Sequence, residues 1–122
     1  MKTILVVDDS RIMRNIVKSH FSELNIPCQY LEAVDGEDAL DKLWKNPVDL
    51  VLLDWNMPNL SGIDFLKQLR AMDTYKDIPV IMVTSEASKL NVIEAVKAGV
   101  TGYITKPIND KAFLEKLSKI SF

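Results

Sequence analysis

Apolar residues along this chain fall into two alternating patterns. Short unbroken aliphatic runs alternate with longer stretches in which apolar residues recur every three or four positions. The clearest run is Leu50-Val51-Leu52-Leu53, which leads into Asp54 and is stopped by Pro58. A run this short, apolar at every position and ended by a polar residue, reads as a strand buried on both faces. Residues 3–7 (Thr-Ile-Leu-Val-Val) and 78–83 have the same character, and 29–33 and 101–105 are weaker strands. Between them lie helical patterns. Ile12, Met13, Ile16, Val17, Phe21 and Leu24 follow a cap at Ser10, and Ala39, Leu40 and Leu43 follow Asp35-Gly36. Ile63, Leu66 and Leu69 follow Ser61-Gly62. Ile93 and Val96 point inward from a helix over 88–98 that Gly99 stops. Phe113, Leu117 and Ile120 mark the inward side of a helix over 110–120. Asn25 to Pro27 and Asn46-Pro47 supply the remaining breaks.

Strand and helix thus alternate five times. That pattern predicts an α/β fold, a parallel sheet with helices on both faces and right-handed crossovers. The length, 122 residues, suits one domain over 1–122 with no separate output domain, and is enough to bury a core without staples. A formal net charge of -2 gives no electrostatic footprint for nucleic acid. One cysteine, Cys28, excludes an internal disulfide and suits a reducing cytoplasm. No apolar run reaches membrane-spanning length, and the first residues lack a signal-peptide core, so no membrane partner is expected.

The chemistry sits where the strands end. Asp8 and Asp9 follow the first, Asp54 the third, Thr84 the fourth and Lys106 the fifth. In a parallel sheet these groups meet at the carboxyl edge, where ligands bind in such folds. Carboxylates about 4 Å apart repel by roughly 4 kcal/mol per pair at an effective dielectric near 20, so the cluster calls for a cation. Oxygen donors without histidine or thiol favour a hard ion, and Mg²⁺ fits a few carboxylates with water and phosphate. A carboxylate nucleophile, a metal, an ammonium and a hydroxyl donor are the parts needed to move a phosphoryl group onto an aspartate.

These residues, in register with the strand pattern over the whole chain, resemble the receiver domain of two-component response regulators, and most of all its stand-alone chemotaxis members. The resemblance implies a flavodoxin-like (βα)5 three-layer sandwich with strand order 2-1-3-4-5. It implies that Asp54 accepts a phosphoryl group from the phosphohistidine of a sensor kinase. Asp9, Asp54 and the Asn56 carbonyl would ligate Mg²⁺ directly, with Asp8 acting mostly through water. Lys106 would contact Asp54 and then the phosphoryl oxygens. Thr84 and Tyr103 would be the switch pair, and the Lys106–Pro107 bond would be cis. Asn56 and Glu86 would line the path of attacking water and shorten the life of the phosphoryl aspartate. The implied output is a change in the face made by the fourth helix, fifth strand and fifth helix, with Val92, Tyr103, Lys111, Lys116 and Lys119 as docking residues. Partners would be a chemotaxis-type sensor kinase, the flagellar motor switch and a phosphatase, acting on a monomer. Such a protein catalyses its own phosphorylation and dephosphorylation and is not a multiple-turnover enzyme. A phosphate sink or an adaptor in another two-component pathway is the alternative.

Other readings of the same residues fit less well. A phosphoester hydrolase needs a second acid where Asn56 stands. A flavin binder needs a phosphate-cradling loop where Asp8-Asp9 would repel phosphate. A receiver used only for docking has no need of the intact acids. His20 reads as a stripe-edge residue of the first helix and Cys28 as an ordinary strand residue. Trp55, beside Asp54, should report on the site by fluorescence.

Overall fold

The computed structural model describes residues 1–120. Five strands, β1 (Lys2–Val7), β2 (Cys28–Ala33), β3 (Leu50–Leu53), β4 (Val80–Thr84) and β5 (Gly102–Thr105), alternate with five helices. The helices are α1 (Arg11–Ser22), α2 (Gly36–Lys45), α3 (Gly62–Arg70), α4 (Lys89–Ala98) and α5 (Asp110–Ser118). All strand pairs are parallel and the order is β2-β1-β3-β4-β5. The expected flavodoxin-like α/β architecture is therefore present. The order reverses beside β1, and in such sheets that reversal opens a crevice at the carboxyl edge.

Alternation along each strand divides the core between the two faces of the sheet. Leu5, Val7, Val51, Leu53, Val80 and Met82 join Ala39, Leu43, Phe65, Leu66, Leu69 and Ala95 under α2, α3 and α4. Ile4, Val6, Leu50, Leu52, Ile81 and Val83 join Val17, Phe21, Phe113 and Leu117 under α1 and α5. Unbroken apolar strands are thus what a sheet covered on both sides requires.

Local signals set the element ends. The side chains of Ser10, Asp35, Ser61, Ser88 and Asn109 each accept a backbone N–H at a helix start. Gly99 ends α4 in the left-handed conformation (φ 97°). β4 begins at Val80 rather than at Ile78, because Pro79 has no N–H for the ladder. The Lys106–Pro107 bond is cis, as expected.

Two helices sit in a different rotation from the one their apolar residues suggest. In α4 the residue against the sheet is Ala95, while Leu90, Ile93 and Val96 are 79%, 40% and 63% exposed. The expectation that Ile93 and Val96 point inward is thus corrected. This helix is apolar on more than one side, so periodicity alone could not phase it, and the small Ala95 side chain permits close approach to the sheet. In α1, Val17 and Phe21 are buried, but Ile12 and Ile16 face solvent.

Phe21 is fully buried and meets Tyr30 and Phe113 edge-on. Phe21→Ala should cost about 3–5 kcal/mol in urea unfolding. Val96→Ala, on the exposed side of α4, should stay within about 0.5 kcal/mol of wild type. A loss at Val96 comparable to that at Phe21 would contradict the observed rotation of α4.

Candidate functional site

Strand register brings the strand-end residues together. Val7 pairs with Leu53, so Asp8 and Asp54, the next residues on each strand, become neighbours. The Asp54 N–H donates to the Val7 carbonyl at 2.9 Å. On the other side Thr84 pairs with Thr105, and the Lys106 N–H donates to the Thr84 carbonyl at 2.9 Å. Asp8, Asp54 and Thr84 are buried, whereas Asp9 is exposed. Carboxylate oxygens of Asp8, Asp9 and Asp54 lie within 4.8 Å of one another. Lys106 Nζ is 3.0 Å from Asp8 Oδ2 and 3.6 Å from Asp54 Oδ1. The lysine therefore spans both acids and leans toward Asp8.

One ammonium against three carboxylates leaves the cluster short of positive charge. Burial pushes the Asp54 carboxyl pKa above its ordinary value, and the charge of Asp8 adds to the effect. Lys106, the Trp55 N–H and the Thr84 hydroxyl oppose it without cancelling it. Asp8 is anchored further, accepting the Ser10 N–H at 2.9 Å on Oδ1. The donor set is all oxygen, and Asp9 lies on the open side, where water can complete a coordination shell. These residues fit a hard divalent ion such as Mg²⁺.

A second layer surrounds this cluster. Asn56 Nδ2 donates to Glu86 Oε1 at 2.7 Å, and Asn91 Nδ2 holds Glu86 Oε2 at 3.0 Å. The Glu86 N–H donates to Thr84 Oγ1 at 3.2 Å. Tyr103 is half-buried against the α2–α3–α4 core, and its hydroxyl donates to the Glu86 carbonyl. Burial, followed by the nearby Glu86 and Asp54 carboxylates, raises the phenol pKa, so at neutral pH the hydroxyl keeps its proton and acts as a donor. Asp8, Asp9, Asp54, Asn56, Thr84, Glu86, Tyr103 and Lys106 thus fall in one connected region.

Several supporting residues escaped the sequence reading. A Cβ at Gly62 would lie 2.0 Å from the Asp54 carbonyl oxygen, so only glycine fits where α3 starts against the end of β3. Sequence marks Ser61-Gly62 as a helix start and says nothing of that close approach. Asn59, at φ 66°, donates to Asp35 Oδ2 at 2.6 Å and clasps the loop after Asp54 to the start of α2. Arg14 Nη1 donates to the Asp8 carbonyl at 2.8 Å, and its Nε pairs with Glu32 at 2.9 Å. Asn91 carries no sequence signal beyond lying on α4. Trp55 packs partly buried beside Asp54, but Trp44 is 78% exposed and adds a second emission.

The raised Asp54 pKa has a consequence for stability. The fold binds this proton more tightly than the unfolded chain does. The group's contribution is therefore fullest at acid pH and is lost as pH rises through the folded-state pKa. In metal-free buffer at pH 7, Asp54→Asn should melt higher than wild type, and the gap should narrow on acidification. An equal or lower melting temperature at pH 7 would contradict the charge imbalance.

Comparison with known proteins agrees with this geometry. Residues 4–118 match the response regulator receiver domain family. The chain is 48% identical over 117 residues to the chemotaxis protein CheY-3 of Vibrio cholerae, covering 96% of this chain and 89% of that one. It superposes on the chemotaxis protein CheY4 of Vibrio cholerae with a TM-score of 0.87 at 33% identity, covering 99% of each chain. It superposes on the Mn(2+)-bound form of the response regulator Rcp1 with a TM-score of 0.82 at 28% identity, covering 98% of this chain and 91% of that one. With five parallel strands in this order and the carboxylates at their ends, the chain belongs to the receiver domains of response regulators, among the CheY-like chemotaxis proteins.

Proposed function

We propose that this chain is an Mg²⁺-dependent phosphorylation switch in which Asp54 accepts the phosphoryl group. The observation that carries the reading is the meeting of Asp8, Asp9 and Asp54 with the Lys106 ammonium at one sheet edge. An ionised Asp54 oxygen attacks phosphorus as the bond to the donor's imidazole nitrogen breaks, and the electron pair leaves with the imidazole. Asp8, Asp9, Asp54 and the Asn56 carbonyl would hold the metal. When bound, Mg²⁺ supplies positive charge to the carboxylates and to the phosphoryl oxygens. Lys106, already 3.6 Å from Asp54 Oδ1, is placed to follow the charge onto the phosphoryl group. Support for a divalent ion also comes from the Mn(2+)-bound form of Rcp1.

The reading extends to the switch and its partners. Thr84 lies between Asp54 and the Glu86 backbone, and the Glu86 carbonyl holds the Tyr103 hydroxyl. A change at Asp54 can therefore pass through three hydrogen-bonded groups to β5. Leu90, Ile93 and Val96 are exposed on α4, and Lys111, Lys116 and Lys119 are exposed on and just after α5. An acidic amphipathic segment fits such a face. The relatives' name, a chemotaxis protein, supports a place in chemotaxis. A chemotaxis-type kinase as phosphoryl donor and the flagellar motor switch as output are what the family resemblance implies. A coupling of about 1–3 kcal/mol would change partner affinity roughly 5- to 150-fold. Asn56 and Glu86 would steer the attacking water, with Asn91 holding Glu86 in place. The phosphoryl group turns over on the protein itself, so the chain is a switch rather than an enzyme acting on external esters.

Acetyl phosphate with Mg²⁺ should add one phosphoryl mass to the intact wild-type chain, and none to Asp54→Asn. Equal labelling of both would place the acceptor elsewhere. Mg²⁺ at about a hundred times its dissociation constant should stabilise wild type by roughly 2.7 kcal/mol, a gain that Asp9→Asn should largely remove. Identical unfolding curves with and without Mg²⁺ would rule out the proposed metal centre.

A further inference from the structure

Outside this site, one group of side chains has the composition of a metal centre. His20, in the last turn of α1, Glu23, just after it, and Asp110, in the first turn of α5, each bring one ligand atom within 4.8 Å of the others. His20 and Glu23 are three residues apart and so share a helix face. His20 Nδ1 is turned onto Asp110 Oδ1. The imidazole ring rests on Phe113, with centroids 6.5 Å apart and planes at 31°, and Phe113 is itself buried. Ring orientation is thus set by the core, while the His20 and Asp110 side chains are 24% and 59% exposed and open to an ion with its water. Glu23 has no cation within ion-pair distance among the described residues.

We propose that His20, Glu23 and Asp110 form a second metal site, selective for a borderline divalent ion such as Zn²⁺, that ties α1 to α5. One imidazole nitrogen and two carboxylate oxygens are a donor set that zinc accepts at about 2.0–2.2 Å, with water in the fourth position. Small side-chain rotations bring the three atoms onto one ion. Donor chemistry separates this site from the first. Mg²⁺ prefers the all-oxygen cluster of Asp8, Asp9 and Asp54, whereas imidazole favours zinc and its neighbours in the series. Asp110 lies four residues after Lys106, so the ion would brace the loop that carries the lysine.

The chain has a single histidine, so a long-range proton–nitrogen NMR spectrum contains one imidazole. Zn²⁺ would be added in excess Mg²⁺, which competes for the carboxylate cluster at the strand ends. The His20 Nδ1 resonance should shift as one zinc binds per chain by equilibrium dialysis. His20→Ala and Asp110→Asn should each weaken zinc binding at least about tenfold. Asp54→Asn and Cys28→Ser should leave it unchanged. An unmoved Nδ1 signal would overturn the proposal. So would zinc binding that survives His20→Ala, or that falls with Asp54→Asn or Cys28→Ser. Far-UV circular dichroism of the variants separates lost ligation from lost folding, and the Nδ1 shift in wild type decides the matter if a variant unfolds.

Discussion

Like charges gathered at the carboxyl edge of a parallel sheet, with one ammonium among them, are the constraint on which the rest of this molecule depends. Parallel strands all end on the same side, so the last residue of each strand and the one after it are delivered to one place. Here the deliveries are Asp8, Asp54, Thr84 and Lys106. The acids would separate if the chain could move, but their backbones are held in the strand ladder, as the 2.9 Å bond from the Asp54 N–H to the Val7 carbonyl illustrates. Burial first, and the charge of Asp8 second, push the Asp54 carboxyl pKa above its ordinary value. A site held out of electrostatic balance responds strongly to an added cation or a phosphoryl group.

Rigidity around the cluster comes from packing on both faces of the sheet and from a few close contacts. Gly62 lets α3 begin directly against the Asp54 carbonyl, which fixes the peptide behind the carboxylate. Asn59 and Asp35 join the loop after β3 to α2, and Arg14 ties the Asp8 carbonyl to Glu32 on β2. Thr84, Glu86 and Tyr103 form a chain of hydrogen bonds that runs from Asp54 to the outer edge of β5. Beside it, α4 buries Ala95 and turns Leu90, Ile93 and Val96 outward.

The two metal-ligating clusters differ in the way they are built. The acids at the strand ends are placed by β-ladder register and partly buried, so their mutual repulsion is strong. His20, Glu23 and Asp110 are placed by the approach of two helices and stay near solvent, where repulsion is screened. Only the first was visible from the order of residues along the chain, because its acids stand at the ends of apolar runs, Asp8-Asp9 after one and Asp54 after another.

Read alone, the sequence determined the alternation of strands and helices, the caps at Ser10, Ser61 and Gly99, and the identity of Asp8, Asp9, Asp54, Thr84 and Lys106 as strand-end residues. Those features follow from local rules: aliphatic runs, cap chemistry and the shared direction of parallel strands. Tertiary structure decided what depends on distance across the chain. It set the rotation of α4, whose apolar residues occupy too many sides for periodicity to choose among them. It decided that Lys106 leans on Asp8 as well as Asp54, that Gly62 must lack a side chain, and that Asn91 holds Glu86. It also brought His20 to Asp110, ninety positions apart in sequence, where no local pattern links them. Local rules say which atoms a segment can offer; only the packing of segments against one another says which of those atoms meet.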